Sequence, residues 1–307
     1  MEYIAGNTDF RLHNSAVSLG KFDGLHIGHQ LLIDKTISLK QEGYSSVVFS
    51  FLYNPRNLFS EIDMKFIYTE EEKKRKLKEK GLDVFISYPF SKETASMEPE
   101  KFVKEVLVDR IDAKVIVVGS DYCFGRNREG NVDMLRELSK QYGYRLVIYD
   151  KLKLKDTIVS STLIRDELEK GNIELVNQML GTPYSIIGEV MHGRKIGRTL
   201  GMPTTNLIPD DNKLLPPNGV YASKVIIDGI SYDSVTSIGY KPSVGKETKK
   251  GVETFIFDFD DDLYGKIIEV RLYGFEREEV KFNSLEELSD QMHRDIQWAK
   301  EFLKEYR

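Results

Sequence analysis

Apolar and polar positions follow one another along the first half of the chain in blocks that read as strand, helix, strand. Ala16-Val17-Ser18-Leu19 is a short apolar run, and Leu31-Leu32-Ile33 with Ile37 and Leu39 are spaced for one face of a helix that ends near Gly43. Further runs rich in branched and aromatic residues follow at 46–51, 84–87, 115–119 and 145–149. Helix signals lie between them. Thr69-Glu70-Glu71-Glu72 has the capping-box pattern ahead of a helix closed by Gly81, Pro99 suits a first helical position, and Asn131 to Tyr142 reads as a helix. The charge run Lys73-Lys74-Arg75 is expected as a solvated helix face. This alternation predicts an α/β unit with a doubly wound parallel sheet. From Tyr184 onward the pattern changes to short strands separated by Gly, Pro, Asn and Asp, at 185–190, 219–227, 231–238, 252–259 and 267–273. An amphipathic helix from Ser284 to about Glu305 follows, opening on the capping box Ser284-Leu285-Glu286-Glu287. A small antiparallel barrel with one terminal helix fits this half. The change at Thr182-Pro183-Tyr184 predicts two domains, 1–183 and 184–307.

Composition agrees and narrows the chemistry. A chain of 307 residues is long for one core, and 40% hydrophobic with 30% charged residues excludes wholesale disorder. The net charge of -5 gives no general attraction to nucleic acid or to an anionic membrane, so any nucleotide binding is expected at a local site. Cys123 is the only cysteine, which rules out an intrachain disulfide. The N-terminus lacks a basic flank and an apolar core, and no stretch approaches the roughly 18 apolar residues of a membrane span, so a cytoplasmic location is expected.

The candidate chemistry starts at the turn from first strand to first helix, Gly20-Lys21-Phe22-Asp23-Gly24-Leu25-His26-Ile27-Gly28-His29-Gln30. Its glycines allow a sharp turn with uncovered amides, and two imidazoles three residues apart fall on one side of the first helical turn. Free amides and the helix dipole attract phosphate there, and histidine donors add hydrogen bonds or charge where a phosphoryl group gains charge. A solvated loop or half of a metal site are the other readings of these residues, although no third ligand follows at metal spacing on the same helix. Two more turns belong at the carboxyl ends of the strands. Gly119 to Asn131 brackets Asp121, Tyr122, Phe124 and Arg126 between glycines, which suits a planar ring beside a polar group and is otherwise a long surface loop. Val159-Ser160-Ser161-Thr162-Leu163-Ile164-Arg165 sets hydroxyls at a helix start and a guanidinium one turn later, donors for a triphosphate or else an ordinary cap.

Gly-x-Phe-Asp-Gly-x-His-x-Gly-His resembles the signature of the HxGH nucleotidyltransferases, and its Phe-Asp-Gly form with the trailing Gln resembles the prokaryotic bifunctional riboflavin kinase/FMN adenylyltransferases, or FAD synthetases. Ser-Ser-Thr-x-x-Arg is similar to that family's second nucleotidyltransferase motif, and the 119–131 turn to its flavin-binding segment. In the second half, Gly193, Lys195, Gly197, Arg198 and Gly201 form a glycine-rich basic connection able to approach phosphates, leading into Pro203-Thr204-Thr205-Asn206. That run resembles the riboflavin kinase Pro-Thr-Ala-Asn motif with Thr205 in place of Ala, and its hydroxyl and amide oxygens are hard donors of the kind magnesium uses. Gly219-Val220-Tyr221-Ala222 and Val252-Glu253-Thr254-Phe255 resemble two kinase strands, the second carrying the family's proposed base. By that match Glu253 is the base. A lone Glu on a strand is otherwise an outward-facing residue, and the acidic run Asp258 to Asp262 reads as a solvated hairpin turn. Ser237 and Ser243 stand where relatives commonly show Asn and Thr, and Asn54 where many have His.

The resemblance runs from about residue 15 to 300 and implies two reactions using ATP and Mg²⁺. The second domain phosphorylates riboflavin to FMN, with ATP at the glycine-rich connection, Thr204 and Asn206 as metal donors and Glu253 as base. The first adenylylates FMN to FAD, with ATP on Phe22, Asp23, Gly24, His26, Gly28, His29, Ser161, Thr162 and Arg165, flavin on Asp121, Tyr122, Phe124 and Arg126, Asp121 also a metal donor, and His29 and Arg165 catalytic. The partners are then small molecules. A monofunctional adenylyltransferase with a flavin-binding barrel, and a non-catalytic flavin sensor, are the alternatives; retention of Glu253, Thr204 and Asn206 argues against the first, and of both histidines and Arg165 against the second.

Overall fold

The apolar runs of the first half pair as one parallel sheet. The computed structural model describes residues 1–52, 65–192, 201–242 and 248–306. These divide into two units, Met1–Ser161 and Thr162–Arg307. In the first, strands β1 (Glu2–Ala5), β2 (Ser15–Leu19), β3 (Ser45–Phe51), β4 (Val84–Tyr88), β5 (Ala113–Gly119) and β6 (Arg145–Tyr149) run in the order β1-β4-β3-β2-β5-β6. Every residue of β2 and β4 is buried. A parallel sheet covered on both faces requires this, which is why those strands read as continuous apolar runs. The helices are α1 (Ile27–Ser38), α2 (Glu70–Glu79), α3 (Lys92–Ala95), α4 (Pro99–Lys101) and α5 (Val132–Tyr142). Thr69 and Glu72 make both bonds of the expected capping box, and Asn131 caps α5 by accepting from Met134 N–H at 3.0 Å.

Two features of this unit carried no periodic signal. β1 is four residues long and pairs with β4 from Glu2↔Val84 to Ala5↔Ser87, so the sheet begins earlier than the run at Ala16. Helix α4 passes into a π-helical segment, Phe102–Val108, where Asp109 N–H reaches the Lys104 carbonyl at 2.9 Å and Ile111 N–H the Val106 carbonyl at 3.0 Å. Winding proceeds from β2 outward in both directions, so the switch point lies between β2 and β5. Ligands bind such sheets there, beyond the strands' carboxyl ends. Those ends open onto the turns 20–26 and 120–131.

In the second unit, α6 (Ser161–Glu169, its first residue in the first unit) and α7 (Ile173–Leu180) precede a closed antiparallel barrel. Strands β9 (Tyr184–Met191), β10 (Thr204–Leu207), β11 (Gly219–Ile227), β12 (Ile230–Pro242), β13 (Thr248–Ile256) and β14 (Ile267–Glu278) pair in the order β10-β13-β12-β11-β14-β9. A small hairpin, β7 (Lys153–Leu154) with β8 (Thr157–Ile158), ends the first unit. Closure leaves no open sheet edge. The barrel wall carries the terminal helix α8 (Leu285–Phe302), whose Ala299 packs with Ala222 and Phe257. Helix α7 sits against β9 and β14. The Asn177 amide donates to the Leu272 carbonyl at 2.9 Å and its oxygen accepts from Tyr184 N–H at 2.7 Å. Contacts therefore group residues 162–183 with the barrel, whereas the composition change at Tyr184 marks only where helix gives way to strand. Among the described residues, no helix is long and apolar enough to cross a membrane.

Candidate active sites

The first site forms at the turn after β2. Phe22, Gly24 and Leu25 all take left-handed backbone angles, with φ of 49°, 82° and 46°. Such angles are strained for Phe and Leu and persist because the turn is braced from outside. The bracing residue is Asp23: its Oδ1 accepts from Ile67 N–H at 3.0 Å, and its carbonyl accepts from the Ser161 hydroxyl at 2.8 Å. His26 caps α1, its Nδ1 accepting from His29 N–H at 3.3 Å. The two imidazoles stack with centroids 3.6 Å apart, and Phe22 meets His29 edge-on at 5.2 Å. Gly28 suits this closeness, since a Cβ there would stand 3.2 Å from the His26 ring, a tight contact.

Burial governs the charge of the pair. Lost hydration brings His26 down to about 4, with the nearby Asp121 carboxylate opposing the shift. Lost hydration also holds His29 well below the ordinary imidazole range, with His26 and Lys73 adding to the effect. Both rings are thus neutral at pH 7 and can give hydrogen bonds without net charge. His29 Nδ1 is buried and has no partner among the described residues.

The neighbouring loop leaves β5 through Gly119, with Tyr122 N–H on the Gly119 carbonyl at 3.0 Å. Phe124 pairs with Gly130 in an antiparallel bridge, and a Cβ on Gly130 would meet the Phe124 ring at 2.7 Å. Phe124 is buried and leans on Phe102 of the π-helical segment at 5.8 Å, so that segment supports the loop from below. Tyr122 stacks on Phe124 at 5.7 Å and is partly exposed. Asp121 is paired with Lys151 at 2.9 Å. The Arg126 guanidinium is half-exposed between Glu98 and Glu129, at 3.8 Å and 3.6 Å. The turn thus gathers Phe22, Asp23, Gly24, His26, Gly28, His29 and Ser161, with Asp121 beside them. Thr162 and Arg165 follow on α6 and belong by contacts to the second unit.

The second site is set by strand register. Thr204 stands opposite Phe255, Asn206 opposite Glu253, and Glu253 opposite Ser237, so Thr204, Asn206, Glu253 and Ser237 share one face of the barrel wall. The Thr204 hydroxyl donates to Glu253 Oε1 at 2.5 Å, so Glu253 is not a lone outward residue. Thr205 points the other way, its hydroxyl on the Thr254 carbonyl at 3.2 Å. The departure from Ala is accommodated because the added hydroxyl has that acceptor. Beside Thr204 opens a cleft of about 330 Å³ lined by Val190, Pro203, Thr205 and the 259–264 loop. The acidic run is solvated as expected, with Asp258, Asp260, Asp261 and Asp262 exposed, and the last three also border this cleft. His192 packs on Tyr264 nearby, ring centroids 3.8 Å apart. Gly193, Lys195, Gly197 and Arg198, with Asn54 and Ser243, lie outside the described residues, while Gly201 is described, with φ of 73°. Among the described residues, no group of three or more His, Cys, Asp or Glu side chains is arranged to hold a metal ion.

Residues 9–163 match the family model for FAD synthetase, and residues 180–303 match that for riboflavin kinase. The chain belongs to the bifunctional riboflavin kinase/FMN adenylyltransferase family. A Buchnera aphidicola (Schizaphis graminum) protein of that name is 36% identical over 94% of this chain and 94% of its own length. A Listeria monocytogenes protein of the same name is 34% identical over 94% and 92%. A solved structure from Streptococcus pneumoniae, described as a macrolide-efflux protein, has the same fold with a TM-score of 0.84, at 29% identity over 97% of this chain and 98% of that one. The two family models follow one another along the chain, FAD synthetase first and riboflavin kinase second.

Sequence reasoning misplaced one residue of the first unit. Lys73, expected on a solvated helix face, is 2% exposed, while Lys74 and Arg75 do face outward. Helical spacing alone carried the signal, because Lys73 shares a face with the buried Leu77.

Proposed function

We propose that the barrel phosphorylates riboflavin with ATP to give FMN, and that the parallel-sheet unit adenylylates FMN with a second ATP to give FAD and pyrophosphate. The observation that carries this reading is that each of two separate motif sets closes into a polar site: Thr204 bonded to Glu253, and His26 stacked on His29 at a helix start. In the barrel, Glu253 accepts the proton of the terminal ribityl hydroxyl as that oxygen attacks the γ-phosphorus of ATP and ADP leaves. Thr204 orients the carboxylate through its O–H. The Thr204 oxygen, a donor to Glu253, keeps its lone pairs for a cation, and the Asn206 side chain shares the same face; this hard-oxygen set fits Mg²⁺. When bound there, magnesium supplies charge neutralisation at the phosphates.

In the first unit, a phosphate oxygen of FMN attacks the α-phosphorus of ATP and pyrophosphate leaves, with no covalent enzyme intermediate. Amides of the braced turn and the neutral imidazoles of His26 and His29 hold the phosphates by hydrogen bonds. Tyr122 offers an aromatic face to the flavin, Asp121 a polar group beside it. Ser161, whose hydroxyl holds the Asp23 carbonyl, borders the same turn. The partners are small molecules, and the cytoplasm is the compartment that supplies them with ATP. The test is to incubate the purified protein with riboflavin, ATP and magnesium and to separate riboflavin, FMN and FAD over time. His29→Ala is expected to slow FAD formation about a hundredfold or more while leaving FMN formation intact. Unchanged adenylylation in the folded variant removes His29 from the site.

A further inference from the structure

The side chain of Phe22 is 0% exposed, although the residue stands in the turn that holds the phosphates. Its backbone is left-handed, with φ of 49°, a conformation that is strained for phenylalanine and persists only where the surroundings enforce it. On one side the ring lies against Gly20, where a Cβ would stand 3.0 Å from Cζ and 3.1 Å from Cε2. On another it meets the imidazole of His29, with centroids 5.2 Å apart and planes inclined at 65°. Phe22 is thus wedged between the end of β2 and the second histidine.

His29 needs such a wedge. A functional imidazole is ordinarily oriented by a hydrogen bond at the ring nitrogen that does not face the ligand. His29 Nδ1 is buried and has no partner among the described residues. Orphaned buried N–H groups are rarer than orphaned acceptors, so the one proton of the neutral ring belongs on Nε2, with Nδ1 bare. What orients that N–H is then packing. The His26 ring, stacked at 3.6 Å with planes 18° apart, fixes the tilt of the imidazole. A stack alone leaves a ring free to turn in its own plane, and the inclined contact with Phe22 blocks that turn.

Resting on the adenylyltransferase reading of this unit, we infer that Phe22 is a positioning residue for adenylyl transfer, its buried ring holding the His29 imidazole in the one orientation that aims Nε2–H at the phosphoryl oxygen gaining charge as pyrophosphate leaves. Buried as it is, the Phe22 side chain acts through His29 and not as a contact to ATP. The demand on orientation is strict, because a hydrogen bond weakens steeply as its donor angle closes.

The test is a double-mutant cycle on the full chain, with FAD formation from supplied FMN measured in the parent, Phe22→Leu, His29→Ala and the double variant. Leucine stays apolar, is a residue that the same turn already holds at a left-handed angle in Leu25, and removes the ring. Phe22→Leu is expected to lower kcat about tenfold with the KM for ATP near its parent value, and to lower it no further once His29 is alanine. A folded Phe22→Leu protein with the parent kcat overturns the inference. An equal loss in both backgrounds assigns Phe22 to packing alone and also overturns it, and either result leaves the adenylyltransferase reading standing. A parent protein that makes FMN but no FAD overturns both. If Phe22→Leu does not fold, Gly20→Ala takes its place in the cycle: Gly20 has no left-handed angle, and the added Cβ, 3.0 Å from Cζ, displaces the Phe22 ring without removing it. A loss of kcat that vanishes in the His29→Ala background supports the inference, and the parent kcat or an equal loss in both backgrounds overturns it.

Discussion

Replacing Glu253 by Gln separates the chemical role of the barrel carboxylate from its structural one. The perturbation is small in shape: Gln keeps the volume and a carbonyl that still accepts from the Thr204 hydroxyl, which now bonds Oε1 at 2.5 Å. The structural loss is that of one altered hydrogen bond, about 0.5–1.5 kcal/mol. What disappears is the ability to take a proton. A general base contributes typically about 10²- to 10⁴-fold, which is about 2.7–5.4 kcal/mol at 1.36 kcal/mol per tenfold. The chemical effect therefore exceeds the structural one severalfold, and the two are distinguishable in a single preparation. The assay is steady-state FMN formation from riboflavin and magnesium-ATP, resolved by chromatography, with FAD formation from supplied FMN run in parallel. kcat for FMN formation is expected to fall by that factor, the KM values to move little, and FAD formation to stay near the parent rate. Normal phosphorylation refutes the assignment of Glu253 as base. Loss of both activities together shows a residue that holds the fold.

Two further outcomes follow from the packing. A fragment of residues 162–307 is expected to fold and phosphorylate riboflavin, whereas 184–307 is expected to be unstable by thermal melting: it lacks Ile173, Val176, Met179 and Leu180, each at most 1% exposed, and about 1.5–3 kcal/mol per such side chain rivals the stability of a whole domain. Near Glu276, burial and the neighbouring Asp295, which is held bidentately by Arg277, push the carboxyl up to about 7. A carboxyl raised in the folded state adds stability below its unfolded value near 4.5 that is lost as pH rises through about 7. Glu276→Gln is therefore expected to flatten the fall in melting temperature of the barrel between these values, by about 1–2 kcal/mol after discounting for solvent screening. An unchanged pH profile shows that the carboxyl titrates normally.

The sequence by itself determined what is local or periodic. Buried parallel strands must be apolar throughout, so β2 to β5 stood out as runs, and helix starts stood out because caps use few residue types. The histidine turn was legible because its glycines and two histidines three residues apart stand together at a helix start, and the barrel because alternation repeats at short intervals. Tertiary structure decided whatever depends on partners distant in the chain. β1 and β10 are four residues each, too short for a period, and exist as strands because β4 on one side, and β9 with β13 on the other, supply their hydrogen bonds. Register alone set Glu253 opposite Asn206 and within reach of Thr204, since a one-residue slip would have turned it to the other face. Asp23 was read as a phosphate contact, and the fold gives its carboxylate to Ile67 N–H, 44 residues away. The acidic 258–262 run and Lys73 both looked solvated, because charge in a sequence predicts exposure. The aspartates are indeed exposed, whereas Lys73 is buried on the helix face that also carries Leu77.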